Sequence, residues 1–185
     1  MANICTTNVT ISGEPDAIKK LYDILSDVSS LDIETYNTLF TNTENEEIDW
    51  GSKWQQISAI DYWEDSDILY IEGESAWNPA IGLWKQISKE YHTSIELTYT
   101  EQGQNFAGNI TFQNGEITHE YETTYYEYIY ENDNDQFWYE MDIELSCEPL
   151  DVVIDLIQDI YDTMSDEDKE RLEEISNQYN EEDEE

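Results

Sequence analysis

Positively charged residues are scarce in this sequence. Its 185 residues include 7 Lys or Arg against 45 Asp or Glu, which gives a formal net charge of −38. DNA, RNA and anionic membranes carry charge of the same sign, so direct binding to any of them is disfavoured. The partner that this charge favours is a basic protein, of the kind whose surface binds the phosphates of nucleic acid.

Cysteine and long apolar runs are scarce as well. Cys5 and Cys147 form neither a CxxC pair nor a zinc-ligand spacing, which is typical of a reduced cytosol. No apolar run reaches the roughly 18 residues of a membrane span, and the first residues lack the pattern of a secretory signal peptide. We therefore expect a cytoplasmic protein.

Acids interleaved with aromatics are what the sequence has in excess. Between Glu90 and Asp168 it carries 21 Asp or Glu and no Lys or Arg.

The six Trp, fourteen Tyr and 21 Ile indicate a folded chain with one core rather than a disordered one. Salt adaptation is a competing explanation of the acidity, but it usually accompanies Ala-rich, Ile-poor sequences, and this one has six Ala.

The first 115 residues alternate between strand-like and helix-like stretches. Helices are predicted after Pro15 and after Pro79, because proline suits the first helical turn and apolar residues then recur at the helical period. The Asn114-Gly115 pair is the strongest hairpin signal in the sequence. The strand-like stretches are residues 4–12, 57–62, 68–74, 94–100 and 105–112.

Residues 29–49 fit no element and end in an acidic patch of Glu44, Glu46, Glu47 and Asp49.

The chain after Gly115 is predicted to form an extended acidic β-hairpin. It runs outward to about Tyr130, turns at residues 131–135 and returns over residues 137–145. One face of the returning strand is expected to carry Phe137, Tyr139, Met141, Ile143 and Leu145, and the other Trp138, Glu140, Asp142 and Glu144. Two helices follow, one from Pro149 and one from the capping-box pattern at residues 165–168 to about Tyr179.

Four stretches together resemble a known family: NICTTNVTISGEPDAI, WGSKW, SAWNPAIGLWKQISKEYH and GQNFAGNITFQNGEI. They are similar to the YubB-like ferredoxin-like domain of small phage and conjugative-plasmid proteins. The resemblance covers residues 1–115 and supplies no catalytic residues. It implies an α+β fold, with a ferredoxin-like βαββαβ core, an antiparallel sheet and two helices on one face.

The expected organisation has three parts. Residues 1–115 form the ferredoxin-like domain, residues 116–179 form the acidic hairpin and two helices packed on the same domain, and residues 180–185 form an acidic tail.

Enzymatic chemistry is not expected. His92 and His119 are the only histidines, neither stands in a metal-ligand spacing, and no GxSxG, P-loop or GxGxxG motif occurs. Paired carboxylates are uninformative among 45 acids. Glu131, Asp133 and Asp135, followed by Asp142, only faintly resemble a calcium loop, because Gln136 replaces its glycine and its twelfth residue is Asp rather than Glu. We expect no catalytic residue, no metal site and no cofactor.

The sequence instead suggests a mimic of nucleic acid. Carboxylates four apart on a helix are separated by about 6 Å and those two apart on a strand by about 6.7 Å. These separations are near the distance between successive phosphates of one nucleic-acid strand. The expected partner-binding residues are the acids of the hairpin and of the next helix, with two tyrosines as anchors: Glu120, Glu122, Glu127, Glu131, Asp133, Asp135, Glu140, Asp142, Glu144, Asp151, Asp155, Asp159, Tyr126 and Tyr128.

Three functions therefore stay open, of which a metal-dependent enzyme is the least favoured. The first is a phage- or plasmid-encoded inhibitor that acts in the host cytoplasm and occupies the basic channel of a host nucleic-acid-binding defence protein, of the CRISPR or restriction type. The second is a non-enzymatic adaptor that binds a protein through its sheet and a cluster of Trp50, Trp54 and Trp77, although core packing is the commoner role of such a cluster.

Overall fold

The computed structural model describes residues 3–39, 49–63, 65 and 67–182. The chain forms two compact units, residues 1–122 and 123–185. Glu44, Glu46 and Glu47 of the expected acidic patch lie outside the described residues, as do the last three residues of the expected tail. Packing of the acidic segment on the first domain stays a prediction.

The first unit is an antiparallel sheet with helices. The elements are β1 (Ile4–Ser12), α1 (Pro15–Leu25), β2 (Ser30–Leu31), α2 (Ile33–Leu39), β3 (Gln55–Trp63), β4 (Ile68–Ala76), α3 (Ile81–Tyr91), β5 (Ser94–Glu101), β6 (Phe106–Gln113) and β7 (Glu116–Thr123). The strands lie in the order β2-β3-β4-β1-β5-β6-β7. The α+β class and the antiparallel sheet are confirmed.

Alternation along the strands explains how this sheet forms. In β1 the side chains of Cys5, Thr7, Val9 and Ile11 are buried, while those between them are exposed or half-buried. One face of the strand therefore lies in the core, as the period of two requires. The core also takes Leu21 from α1 and residues from the other central strands and α3.

Two elements lie within residues 29–49, for which no helix or strand was predicted. These are the short strand β2 and the helix α2, whose Tyr36 is fully buried and packs edge-on against Trp50 at 5.6 Å between ring centroids. The hydroxyl of Tyr36 donates to Glu90 at 3.3 Å.

The second unit is helical, and the extended hairpin predicted for residues 116–145 is wrong beyond Thr123. Its elements are α4 (Tyr125–Asn132), α5 (Asn134–Cys147), α6 (Leu150–Leu156), α7 (Gln158–Tyr161) and α8 (Asp166–Glu182). The helix predicted from Pro149 is thus two helices, separated at Ile157. The helix predicted after residue 165 is confirmed as α8.

Packing explains why residues 134–147 form the helix α5 rather than the predicted strand. On α5 the buried apolar residues are Phe137, Trp138, Met141 and Leu145, whereas Tyr139 is 61% exposed. This helical spacing buries Trp138, which the strand prediction had placed on the opposite face from Phe137. The tertiary environment overrides the strand preference of the aromatic residues.

Buried apolar residues form two clusters rather than the single core expected. The first belongs to the sheet unit. The second is made by α4 to α8 and includes Ile129, Phe137, Met141, Ile160 and Leu172. Each unit therefore has a core of its own. In the described part of the chain, no helix combines the length and the apolar character needed to cross a bilayer.

The close approach of β3 to β4 at Gly73 generates a stability prediction. A Cβ at Gly73 would lie 2.0 Å from the carbonyl oxygen of Gln56, a backbone atom that cannot move aside. We expect Gly73→Ala to lower the free energy of unfolding by about 3 kcal/mol, measured by urea denaturation.

Gly103→Ala is the matched control for that prediction. The nearest atoms to its added Cβ are side-chain atoms of Asn3 and Glu101 at 3.1 Å, which need move only slightly. Its cost should stay below about 1 kcal/mol. Equal losses in both variants would contradict the proposed close backbone contact.

Candidate functional site

The predicted partner-binding residues divide between the two units. Glu120 and Glu122 lie on β7 in the first unit and are exposed, while the other twelve belong to the second unit. The exposed members of that second group are Glu131, Asp133, Asp135, Asp142, Asp151, Asp155 and Asp159. Glu127, Glu144 and Tyr128 are half-buried.

Tyr126 and Glu140 cannot serve as surface contacts, which corrects their assignment. Tyr126 is 3% exposed and Glu140 is 7% exposed. Glu140 faces inward because α5 is a helix, so the strand alternation that placed it outward does not apply, and Tyr126, expected as a surface anchor, is buried on α4. The carboxylate of Glu140 accepts a hydrogen bond from Nε2 of Gln136 at 2.6 Å.

Tyrosine hydroxyls hold carboxylates across the three longer helices of the second unit. Tyr126 on α4 donates to Glu144 on α5 at 3.0 Å. Tyr130 on α4 donates to Asp168 on α8 at 2.9 Å. A third bond runs from the Tyr179 hydroxyl on α8 to Asp142 on α5 at 3.0 Å. Each pair among α4, α5 and α8 is thus joined by a bond from a neutral donor to a carboxylate.

The two basic residues of this unit lie over aromatic rings. The guanidinium carbon of Arg171 is 4.1 Å from the ring centroid of Trp138, and the Lys169 ammonium is 5.2 Å from that of Tyr161. Both distances are within the range of cation–π attraction. The aromatic residues among the acids therefore contact the few cations as well as donating hydroxyl hydrogen bonds.

Most carboxylates of the second unit are exposed. Between Thr123 and Tyr179, fourteen of eighteen Asp and Glu side chains are exposed, three are half-buried and one is buried. The predicted row of Asp151, Asp155 and Asp159 is exposed along its length, but the break at Ile157 separates its last member from the first two.

The longest uninterrupted acidic row lies on α8 and was missed from the sequence. Asp166, Glu170 and Glu174 are all exposed and four residues apart on one helix. The successive members are therefore about 6 Å apart along the axis. A search for acids four residues apart, which identified Asp151, Asp155 and Asp159, would also have identified this row.

The segment with a faint resemblance to a calcium loop is mostly helical. Glu131 lies in α4 and Asp135 in α5, and only Asp133 stands between the two helices. Asp133 caps α5, since its side chain accepts from the backbone N–H of Gln136 at 3.2 Å. Among the described residues, no group of three or more His, Cys, Asp or Glu side chains could hold a metal ion.

The tryptophan cluster separates into buried and exposed members. Trp50 is 4% exposed and belongs to the first core, whereas Trp77 is 41% exposed. Trp77 has φ of 71°, and its N–H donates to the Asn3 carbonyl at 3.0 Å. Positive φ is uncommon for a bulky side chain, and the surrounding structure must hold it.

Removing the Tyr126 hydroxyl tests the hydrogen bonds between the helices. We expect Tyr126→Phe to lower the free energy of unfolding by about 1.5 kcal/mol, because a buried hydroxyl donates to a carboxylate. Tyr139→Phe, on a ring that is 61% exposed, should change it by less than about 0.5 kcal/mol. Urea denaturation followed by circular dichroism measures both, and equal effects would contradict a structural role for the bond.

Alkaline pH tests three tyrosines of α4. Burial raises the pKa of Tyr128, burial and the Glu140 charge raise that of Tyr125, and burial and the Asp168 hydrogen bond raise that of Tyr130. The folded protein therefore keeps these protons where the unfolded chain has lost them. Their stabilisation is complete below the ordinary tyrosine pKa of about 10 and declines as pH rises through the raised values.

Urea unfolding at a series of pH values, combined with phenolate absorbance, measures that decline. Stability that stays constant from about pH 8 to about pH 12 would contradict it.

Comparison with known proteins places the chain in a family. No curated protein matches it. No solved structure matches it either. The family model described as a ferredoxin-like domain in Api92-like protein matches residues 49–142, just over half of the chain. The matched range begins before β3 and ends within α5, and it confirms the resemblance to a ferredoxin-like family. The chain belongs to the family of ferredoxin-like domains in Api92-like proteins.

Proposed function

We propose that this protein is a non-enzymatic inhibitor that mimics nucleic acid and occupies the basic channel of a nucleic-acid-binding protein. Its target would be a host defence protein of the CRISPR or restriction type, and its gene would belong to a phage or a plasmid. Within the family fold, we assign β1, α1, β3, β4, α3 and β5 to the βαββαβ core that carries the acidic segment.

The observation that carries the proposal is the way in which carboxylates of the second unit are held. Glu144, Asp142 and Asp168 are fixed by tyrosine hydroxyls, which are neutral donors. A lysine or arginine in the same place would have neutralised each charge. These bonds therefore restrict the positions of the carboxylates without neutralising their charge, and Asp142 among them is exposed. Pre-ordered groups lose less side-chain entropy when they bind.

Spacing supports the same function. The exposed acids of α8 and of α6 recur every four residues, about 6 Å apart along each helix axis. A basic channel that binds successive phosphates meets carboxylates at comparable separations on these helices. Binding would also release the counterions that otherwise accompany the partner's Lys and Arg.

Salt and charge reversal test the proposal. Asp151, Asp155 and Asp159 are changed together to Lys, and the control variant carries Lys at Asp16, Asp23 and Asp27, which are exposed on or just after α1. The two variants have the same net charge. Each is used as bait in a host lysate, washed in increasing salt, and the bound proteins are identified by mass spectrometry.

We expect the unmodified protein and the control variant to retain one nucleic-acid-binding protein, which DNA or RNA displaces. For a target that makes about six such contacts, affinity should fall about a thousandfold between about 50 and 200 mM salt. The Asp151 triple variant should lose the target. Retention by that variant as strong as that of the unmodified protein would show that α6 and α7 do not form the mimicking surface.

An adaptor is the second candidate, favoured by the exposed apolar side chains of the first unit. Trp77 is 41% exposed, and Ile4, next to its hydrogen-bond partner Asn3, is 40% exposed. Tryptophan is enriched at the centres of protein interfaces. An adaptor of this kind would keep its partner in high salt and lose it in Trp77→Ala, so the same capture experiment distinguishes the two functions.

A further inference from the structure

The strand β7 ends the sheet with an open edge. It is the last strand in the order, and no further strand follows it among the residues that the structure describes. Seven of its eight side chains are exposed and the eighth is half-buried. It is also longer than the mean strand of about five to six residues and contains no proline. Sheet edges that only need protection from pairing are commonly short, bulged or interrupted by proline.

The turn before β7 shows which backbone groups face outward. Asn114 and Gly115 have φ of 52° and 82°, which is the conformation of a two-residue type I′ hairpin. In such a hairpin the flanking residues, Gln113 and Glu116, direct their N–H and C=O groups toward each other. The next residue, Ile117, therefore directs its N–H and C=O away from β6. These groups are available to an added strand.

Side chains on this strand define what could pair with it. Glu116, Glu120 and Glu122 lie along this strand, with the Glu122 carboxylate 3.5 Å from the Tyr99 hydroxyl, and Ile117 and Tyr121 are each 42% exposed. Two copies of the chain paired along this edge would place glutamates beside glutamates, which is unfavourable. The complementary strand instead has basic residues on one face and apolar residues on the other.

We propose that the open edge of β7 binds an extended segment of another protein, with Lys or Arg at alternate positions and apolar residues between them. The segment adds to the sheet as a further strand beside β7. Backbone hydrogen bonds provide the attachment, and the three glutamates select the basic segment. This inference concerns the first unit and goes beyond the mimicry proposed for the helices.

A synthetic peptide tests the proposal directly. The probe is the amide-capped peptide Thr-Lys-Val-Lys-Val-Lys-Thr, and its control has the same sequence with N-methylated valines, so that charge is kept while backbone pairing is lost. Binding to the full chain is measured by calorimetry, and amide chemical shifts locate the site. We expect saturable binding, with the largest shifts in β7, and at least tenfold weaker binding of the methylated peptide.

Substitution of one residue supplies the matched protein variants. Ile117→Pro removes an outward N–H, which an edge strand tolerates, whereas Ile117→Val keeps it. The first should weaken peptide binding at least tenfold, and the second should leave it within about twofold. Equal affinity for both variants or for both peptides, or no binding at all, would overturn the proposal. The comparison of the two peptides on the unmodified chain decides the matter even if the proline variant does not fold.

The triple Lys variant at Asp151, Asp155 and Asp159 separates this proposal from mimicry. It should bind the peptide within about threefold of the unmodified chain, because those residues belong to the other unit. Loss of peptide binding in that variant would overturn the assignment to β7, whereas loss of the captured target alone leaves that assignment intact.

Discussion

Carboxylates outnumber the cations that could pair with them, and hydroxyl donors bind some of them instead. With 45 acids and 7 bases, ion pairing cannot organise this surface. In the second unit, three tyrosine-to-carboxylate bonds join α4, α5 and α8 pairwise. A hydrogen bond to a charged acceptor is stronger than one between neutral groups, so each bond stabilises the unit without cancelling its charge. The unit remains folded and highly acidic for the same reason.

Tyrosine hydroxyls and a backbone N–H also lie at carboxylates in the sheet unit. The hydroxyl of Tyr36 donates to Glu90, and that of Tyr99 lies 3.5 Å from a carboxylate oxygen of Glu122. The buried carboxylate of Glu101 accepts from the backbone N–H of Gln104. Tyrosine and backbone donors thus hold acids in both units, and the aromatic content and acidity of the sequence are parts of one arrangement.

Local patterns predicted the first unit better than the second. The strands at residues 4–12, 57–62 and 68–74 follow from their strand-forming residue types, and the helix after Pro15 follows from the 3.6-residue period. For residues 137–145 both the period of two and the period of 3.6 bury Phe137, Met141 and Leu145. The two periods differ in the other residues that they bury: a helix buries Trp138, whereas a strand buries Tyr139 and Ile143. Packing against the rest of the unit favours burial of Trp138 and therefore the helix.

Capping was the local indication that could have identified α4 and α5. Thr124 accepts from the N–H of Glu127, and Asp133 accepts from that of Gln136, so each helix begins with a side-chain cap three residues before a Glu or Gln. The composition was enough to predict that most acids are exposed. The sequence could not predict the tyrosine hydrogen bonds, because they join residues as far apart as Tyr130 and Asp168, and no local pattern specifies such a pair.

Asp168 connects the start of α8 to the rest of its unit. One of its carboxylate oxygens accepts from the Ser165 hydroxyl at 2.7 Å and from the Tyr130 hydroxyl at 2.9 Å, while its own N–H donates to Ser165. The first turn of the last helix is therefore completed by a residue that the ribosome adds 38 positions earlier. During synthesis α8 emerges after α4, so this bond can form only when both segments have left the ribosome. Folding of the acidic unit is in this way coupled from its beginning to its end.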